Sequence, residues 1–173
     1  MPDLIIIAGP NGSGKTTFAR EYLSKDTMRF VFVNADEIVR DLALEAGIQN
    51  PSDVRAGRMM LDRIDELINA GADLAIETTL ATLTYAQKIP VWRKRGYNVS
   101  LVYLRLNSIA ESLDRVRRRV EAGGHNIPPE VIERRFGKSI DYFERIYKPI
   151  VNSWRVWESQ EGEFTLANSS EPQ

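Results

Sequence analysis

The stretch Leu4-Ile5-Ile6-Ile7-Ala8-Gly9-Pro10-Asn11-Gly12-Ser13-Gly14-Lys15-Thr16-Thr17 decides the fold. Its first part, Leu4 to Ala8, is an unbroken apolar run rich in isoleucine, the pattern of a strand buried on both faces of a parallel sheet. The next eight positions, Gly9 to Thr16, fit G-x-x-x-x-G-K-[ST] at every fixed place. Glycines there let consecutive backbone N–H groups turn inward around a phosphate, and a helix starting near Lys15 adds the positive end of its dipole. In such a Walker A loop the lysine reaches the β- and γ-phosphates and the following hydroxyl ligates Mg²⁺. Gly9, Pro10, Asn11, Gly12, Ser13, Gly14, Lys15, Thr16 and Thr17 are therefore the expected ATP-binding residues, with Thr16 as the metal ligand. A buried strand just before and a helix just after separate this motif from an ordinary glycine-rich turn.

Outward from the loop, Lys15 to Leu23 reads as a helix and Phe30 to Val33 as a second apolar run, stopping at Asn34-Ala35-Asp36-Glu37. Helical stretches follow at Glu37–Ala46 and Pro51–Ala70, the latter with Met60, Leu61, Ile64 and Leu67 on one face. A third strand, Leu74 to Ile76, ends at Glu77-Thr78-Thr79. Tyr85–Lys94 predicts a helix kinked at Pro90, Asn98–Leu106 a strand, and Ile109–Ala122 an amphipathic helix closed by Gly123-Gly124. Glu130–Tyr147 resumes helix up to a break at Pro149, and short strands at Trp154–Trp157 and Phe164–Ala167 precede a polar tail, residues 168–173. Strands alternating with helices predict an α/β, three-layer αβα sandwich. Its central sheet has about five to six mostly parallel strands, in one P-loop NTPase domain over residues 1–173 with a helical lid at about 115–136.

The composition fits that reading. The chain has 173 residues, 23 basic and 24 acidic, for a net charge of −1, with 43% hydrophobic and 27% charged residues. Balanced charge argues against a nucleic-acid coat, which would read strongly basic. With no cysteine there is no disulfide framework, thiolate metal site or cysteine nucleophile. No apolar run approaches the roughly 18 residues of a membrane span, and Asp3 before Leu4 makes a poor signal peptide, so a cytoplasmic protein is expected. The N-K-x-D segment of GTPases is absent, and Leu74-Ala75-Ile76-Glu77 only partly matches the consecutive acids of large ring ATPases. Small-molecule kinases remain.

Ligands of open parallel sheets sit outside the carboxyl ends of the strands, where Asp36 and Glu77 fall. One such carboxylate can accept the proton of an attacking hydroxyl; another can orient the substrate or hold Mg²⁺. Asp36 also suits a helix N-cap, and both roles are compatible. Glu77, Thr78 and Thr79 together offer a polar substrate a carboxylate and two hydroxyls. Arg115, Arg117, Arg118 and Arg119 lie on one helix and Arg134 and Arg135 on the next. Helical spacing groups Arg115, Arg118 and Arg119 on one side, where a lid could close them over ATP; the alternative is surface pairing with nearby acids. His125 lies in the Gly-Gly loop with no assignable partner, and Trp154 and Trp157 read as packing residues.

Taken together, these segments resemble the zeta-toxin family of phosphate-loop kinases. The likeness rests on Gly9–Thr17, Asn34-Ala35-Asp36-Glu37-Ile38, Glu77-Thr78-Thr79-Leu80, Arg119-Val120-x-x-Gly123-Gly124-His125-x-Ile127-Pro128 and Ile132-x-x-Arg135-Phe136, with Trp154 opening the last strand. It implies ATP-dependent phosphorylation of a hydroxyl on a small molecule, in the toxins proper a UDP-N-acetyl amino sugar, and an antitoxin protein as partner. It further implies Asp36 as general base, Lys15 as phosphate clamp, Glu77 as a substrate-site acid, and Arg119 and Arg135 as phosphate-stabilising arginines, with Arg118 beside the nucleotide. The chain is shorter than those toxins, and Glu158-Ser159-Gln160 replaces their Asp-Asn-Ser. Two other activities fit the loop: a kinase of nucleic-acid ends, and a nucleotide-dependent binding protein whose task is association with an antitoxin.

Overall fold

The computed structural model describes residues 1–24, 29–38 and 53–170. The expected helix Glu37–Ala46 lies mostly outside these residues, as do the last three of the tail. In chain order the elements are β1 (Asp3–Ala8), α1 (Lys15–Tyr22), β2 (Val31–Val33), a helical turn at residues 35–38, α2 (Asp53–Asn69), β3 (Leu74–Thr78), α3 (Thr84–Lys94), β4 (Asn98–Arg105), α4 (Ile109–Glu121), α5 (Pro129–Tyr142), β5 (Ser153–Gln160) and β6 (Glu163–Ser169).

The strands form one six-stranded sheet in the order β2-β3-β1-β4-β5-β6. The first five are parallel and β6 returns antiparallel to β5. The turn between them, Glu161-Gly162, has positive φ at both residues (45° and 90°), the geometry whose twist matches a two-residue hairpin. This is the expected mostly parallel αβα sandwich.

Because side chains alternate across a strand, β1 feeds two cores. Leu4, Ile6 and Ala8 join Met60 and Ile64 of α2, Ile89 and Trp92 of α3, and Phe143 and Tyr147 on one face. Ile7 packs with Phe18 and Ala19 of α1, Val102 and Leu104 on the other. The register sets Ile7 beside Glu77 and Ala8 beside Thr78, so the end of β3 is level with the start of the glycine loop.

α3 spans Pro90, which lies on its exposed face. The helical stretch from residue 129 reaches Tyr147 as expected, α-helical to Tyr142 and π-helical over Phe143–Tyr147, and a 3₁₀ turn (Lys148–Ile150) then carries Pro149, which cannot continue an α-helix. One local expectation needs correction. Asn168 and Ser169, expected in the polar tail, belong to β6, and Ser170 accepts a hydrogen bond from the Trp154 backbone N–H through its Oγ (2.9 Å). Strand pairing, not hydropathy, orders that segment.

Candidate functional site

The loop after β1 turns on three glycines of positive φ: Gly9 (152°), Gly12 (79°) and Gly14 (81°). At Gly9 the need is steric as well, because a Cβ would stand 2.5 Å from the Leu104 carbonyl oxygen and 2.7 Å from Ser13 Oγ. Inside the loop, the Pro10 carbonyl accepts both the Ser13 N–H (3.2 Å) and Lys15 Nζ (3.0 Å). Lys15 is buried, and Asn11 Oδ1 and Ser13 Oγ are buried with no hydrogen-bond partner. A buried lysine with unanswered polar atoms around it is a cradle suited to a phosphate.

Burial pushes the Lys15 ammonium below its ordinary pKa. Four charges then act on it, in order of size: Glu77 favours its charged form, Arg119 opposes it, Asp36 favours it, and Arg135 opposes it. These four residues come from β3, α4, the turn after β2, and α5, so the sheet gathers at Lys15 the acids and arginines expected of the site. Arg118 is absent from that set. It pairs instead with Asp114 at 2.7 Å, as does Arg117, and its side chain is 69% exposed. Arg115, Arg118 and Arg119, on one helix as expected, each take a different partner.

Glu77 makes the most direct contact. Its Oε2 accepts a hydrogen bond from Thr16 Oγ1 at 2.8 Å, so its carboxylate faces the hydroxyl expected to ligate metal. Thr78 Oγ1 accepts the Leu80 N–H at 3.0 Å, bracing a loop in which buried Leu80 has a φ of 61°. Thr79 is half-buried and Thr17 exposed at the start of α1.

At Asp36 the capping role falls to another residue. Asn34, buried after β2, accepts the Glu37 N–H through Oδ1 at 2.7 Å, which is N-cap geometry. Asp36 stays exposed at the second position of that helical turn. The motif Asn34-Ala35-Asp36 thus divides the work between a cap and an exposed carboxylate. The cap was legible from an asparagine preceding a helix.

Arg119 donates from Nη2 to the His125 carbonyl (3.3 Å), and its own carbonyl accepts the Gly124 N–H (2.9 Å). A Cβ at Gly124 would lie 2.7 Å from Arg119 Cγ, so the second glycine of the pair admits the arginine. His125 contributes its backbone, and its exposed ring has no hydrogen-bond partner among the described residues. Trp154 and Trp157 pack as expected, Trp154 against Phe143 and Trp157 against Phe18. A cleft of about 490 Å³ between α1 and the β5–β6 hairpin, walled by Phe18, Tyr22, Trp157 and Phe164, holds none of the charges that act on Lys15.

Sequence reasoning did not anticipate the outer support of the loop. Ser112 and Arg115 bond to the loop across 101 and 103 residues of chain, and Arg115 is held in turn by Ser159 across 44, separations with no local signal.

A family model described as an AAA domain matches residues 4–146. An uncharacterized protein of Haemophilus influenzae is 29% identical over 134 residues, covering 76% of this chain and 91% of its own. A chain of the PezAT chromosomal toxin-antitoxin system of Streptococcus pneumoniae superposes with a TM-score of 0.69 at 20% identity, over 98% of this chain and 72% of that one. A gluconokinase of Sinorhizobium meliloti superposes with a TM-score of 0.57 at 15% identity, over 92% and 83%. The fold is that of P-loop NTPases, with kinases among its structural neighbours. Among the described residues no helix is long and apolar enough to cross a membrane.

Proposed function

Because the chain belongs to the AAA domain family, we propose that it is an ATP- and Mg²⁺-dependent kinase that phosphorylates a hydroxyl of a small molecule. The observation that carries this reading is the buried Lys15 in a loop whose Asn11 Oδ1 and Ser13 Oγ have no partner, with Glu77 bonded to Thr16 beside it; the charges of Arg119, Asp36 and Arg135 acting on Lys15 support it. Phosphoryl transfer asks little covalent chemistry of a protein; it needs positioning and charge, and both are in this set.

In this reading Lys15 and the loop N–H groups bind the nucleotide phosphates. Asp36, exposed and relieved of capping by Asn34, accepts the proton of the acceptor hydroxyl. Arg119 and Arg135 offset the negative charge that grows on the oxygens of the moving phosphoryl group. Thr16 and Glu77 would hold Mg²⁺, which when bound supplies charge neutralisation between the β- and γ-phosphates. The Thr16–Glu77 hydrogen bond supports a metal-side role for Glu77 in place of the substrate-side role that the resemblance implies. Thr78 and Thr79 remain the hydroxyls offered to the acceptor, and Arg118 is left out.

The acceptor we infer is a UDP-N-acetyl amino sugar, on the resemblance to zeta toxins and the likeness to the PezAT chain. That neighbour belongs to a toxin-antitoxin system, so an antitoxin-like protein is the partner we propose. The chain acts as one P-loop domain, with α4, α5 and the turn between them as a lid, and the compartment we assign it is the cytoplasm. The test is incubation of the protein with Mg²⁺, γ-labelled ATP and a panel of UDP-N-acetyl sugars and simple polyols. Label on the sugar nucleotide supports both the activity and the acceptor. Label on a polyol alone keeps the kinase and discards the acceptor.

A further inference from the structure

Helix α4 grips the phosphate loop from outside. Ser112, fully buried, donates its hydroxyl to the Asn11 carbonyl at 2.5 Å. One turn on, Arg115 spreads its guanidinium over four acceptors. Nη1 donates to Ser159 Oγ (3.0 Å) and the Gly12 carbonyl (3.4 Å), while Nη2 donates to the Ser159 carbonyl (3.0 Å) and Glu111 Oε1 (2.6 Å). The side chain is only 18% exposed. The fit is close: a Cβ at Gly12 would meet Arg115 Cβ at 3.0 Å and the Ser112 carbonyl at 3.2 Å. Ser159, at the end of β5, in turn lies 3.9 Å from where a Gly14 Cβ would be.

We propose that Arg115 is a positioning residue for the phosphate loop, fixing its peptides with their N–H groups aimed at the nucleotide. This rests on the nucleotide-binding reading above. In a trans peptide the C=O and the following N–H point opposite ways. Drawing the Asn11 carbonyl toward Ser112 therefore turns the Gly12 N–H away from α4, toward the concave side of the loop. Drawing the Gly12 carbonyl toward Arg115 turns the Ser13 N–H the other way, where the Pro10 carbonyl accepts it and closes the turn of the loop. The glycines allow many backbone states, and the clamp selects one, so the cost of ordering the loop is met before the ligand arrives. Arg115 suits the task because its planar fork serves four acceptors at once, which a lysine ammonium on a flexible stem does not. Arg119 extends one turn further along the same helix, so the element that shapes the loop also carries an arginine acting on Lys15.

The experiment measures ADP affinity by calorimetry, in Mg²⁺, for the unaltered protein, Arg115→Ala, Arg115→Lys, Ser112→Ala and Arg117→Ala, with a thermal melt of each without ligand. Arg115→Ala should weaken ADP binding at least tenfold, Arg115→Lys should not restore it, and Ser112→Ala should weaken it severalfold while keeping the Arg115–Glu111 pair. Arg117→Ala, which removes an exposed arginine of the same helix, should leave affinity unchanged. An Arg115→Ala protein that melts earlier yet binds ADP within twofold of the original would make Arg115 merely structural and overturn the proposal. If Arg115→Ala does not fold, unchanged affinity in Ser112→Ala overturns it. Failure of the unaltered protein to bind ADP would instead remove the nucleotide reading, and this inference with it.

Discussion

The hydroxyl of Thr16 donates a 2.8 Å hydrogen bond to Glu77, tying the first turn of α1 to the end of β3. The parallel register makes this contact, since Glu77 stands beside Ile7, two residues before the loop begins. An acid at that place touches the loop hydroxyl that we propose as the Mg²⁺ ligand.

Glu77→Gln should therefore raise the Mg²⁺ concentration needed for half-maximal ADP binding by about 10- to 100-fold, the usual cost of losing a group that supports a metal site. The acceptor KM should stay within twofold. Calorimetric ADP titrations at a series of Mg²⁺ concentrations read the first quantity and steady-state kinetics the second. A raised acceptor KM with an unmoved Mg²⁺ requirement would return Glu77 to the substrate side.

Lys15 should announce its burial in the pH dependence of stability. Its folded pKa lies below that of the unfolded chain, so between the two values the unfolded state binds more protons. Stability from this group accordingly rises with pH across that window. Lys15→Met should remove this contribution, raise the melting temperature of the ligand-free protein at neutral pH, and abolish nucleotide binding. Melts from pH 7 to 10 of both proteins check it; parallel curves would show that Lys15 is not penalised by burial.

The aromatic core gives an opposite slope at higher pH. Burial raises the phenol of Tyr103 to about 12 and that of Tyr147 to about 12, and raises Tyr85 further. Their stabilising contribution is complete below pH 10 and is lost as pH rises through the folded values. The melting temperature should fall steeply between pH 10 and 12, less steeply in Tyr103→Phe. Equal slopes in the two proteins would contradict the assignment.

Asn34→Ala should cost about 1 kcal/mol of stability, as typical N-cap losses do. It should also slow turnover with little change in ADP affinity, because the residue caps and aims the turn that carries Asp36. Urea unfolding and kinetics together check this. Lost ADP affinity at full stability would mean that Asn34 serves the nucleotide directly.

What was legible in the chain was what local pattern encodes. The run Leu4–Ala8 and the glycine spacing fixed β1, the loop and α1, and acids after apolar runs marked strand ends at Asp36 and Glu77. Long-range pairing was less visible. β5 reaches from Ser153 to Gln160 and β6 to Ser169 because they bond to each other and to β4, so polar residues such as Asn168 enter the sheet. Helical spacing placed Arg118 with Arg119, but Asp114, one turn back, captures it. The Arg115–Ser159 contact depends on the meeting of α4 and β5, which no local motif foretells.

The account stands on transfer of a phosphoryl group to a hydroxyl with Asp36 as base. Mass spectrometry of a pool of hydroxyl-bearing metabolites, incubated with ATP and Mg²⁺ and either the unaltered protein or Asp36→Asn, tests this most directly. The unaltered protein should yield a species heavier by one phosphate group, and Asp36→Asn should bind ATP equally well yet yield none. Equal product from both proteins, or an unchanged pool with ATP bound, would contradict it.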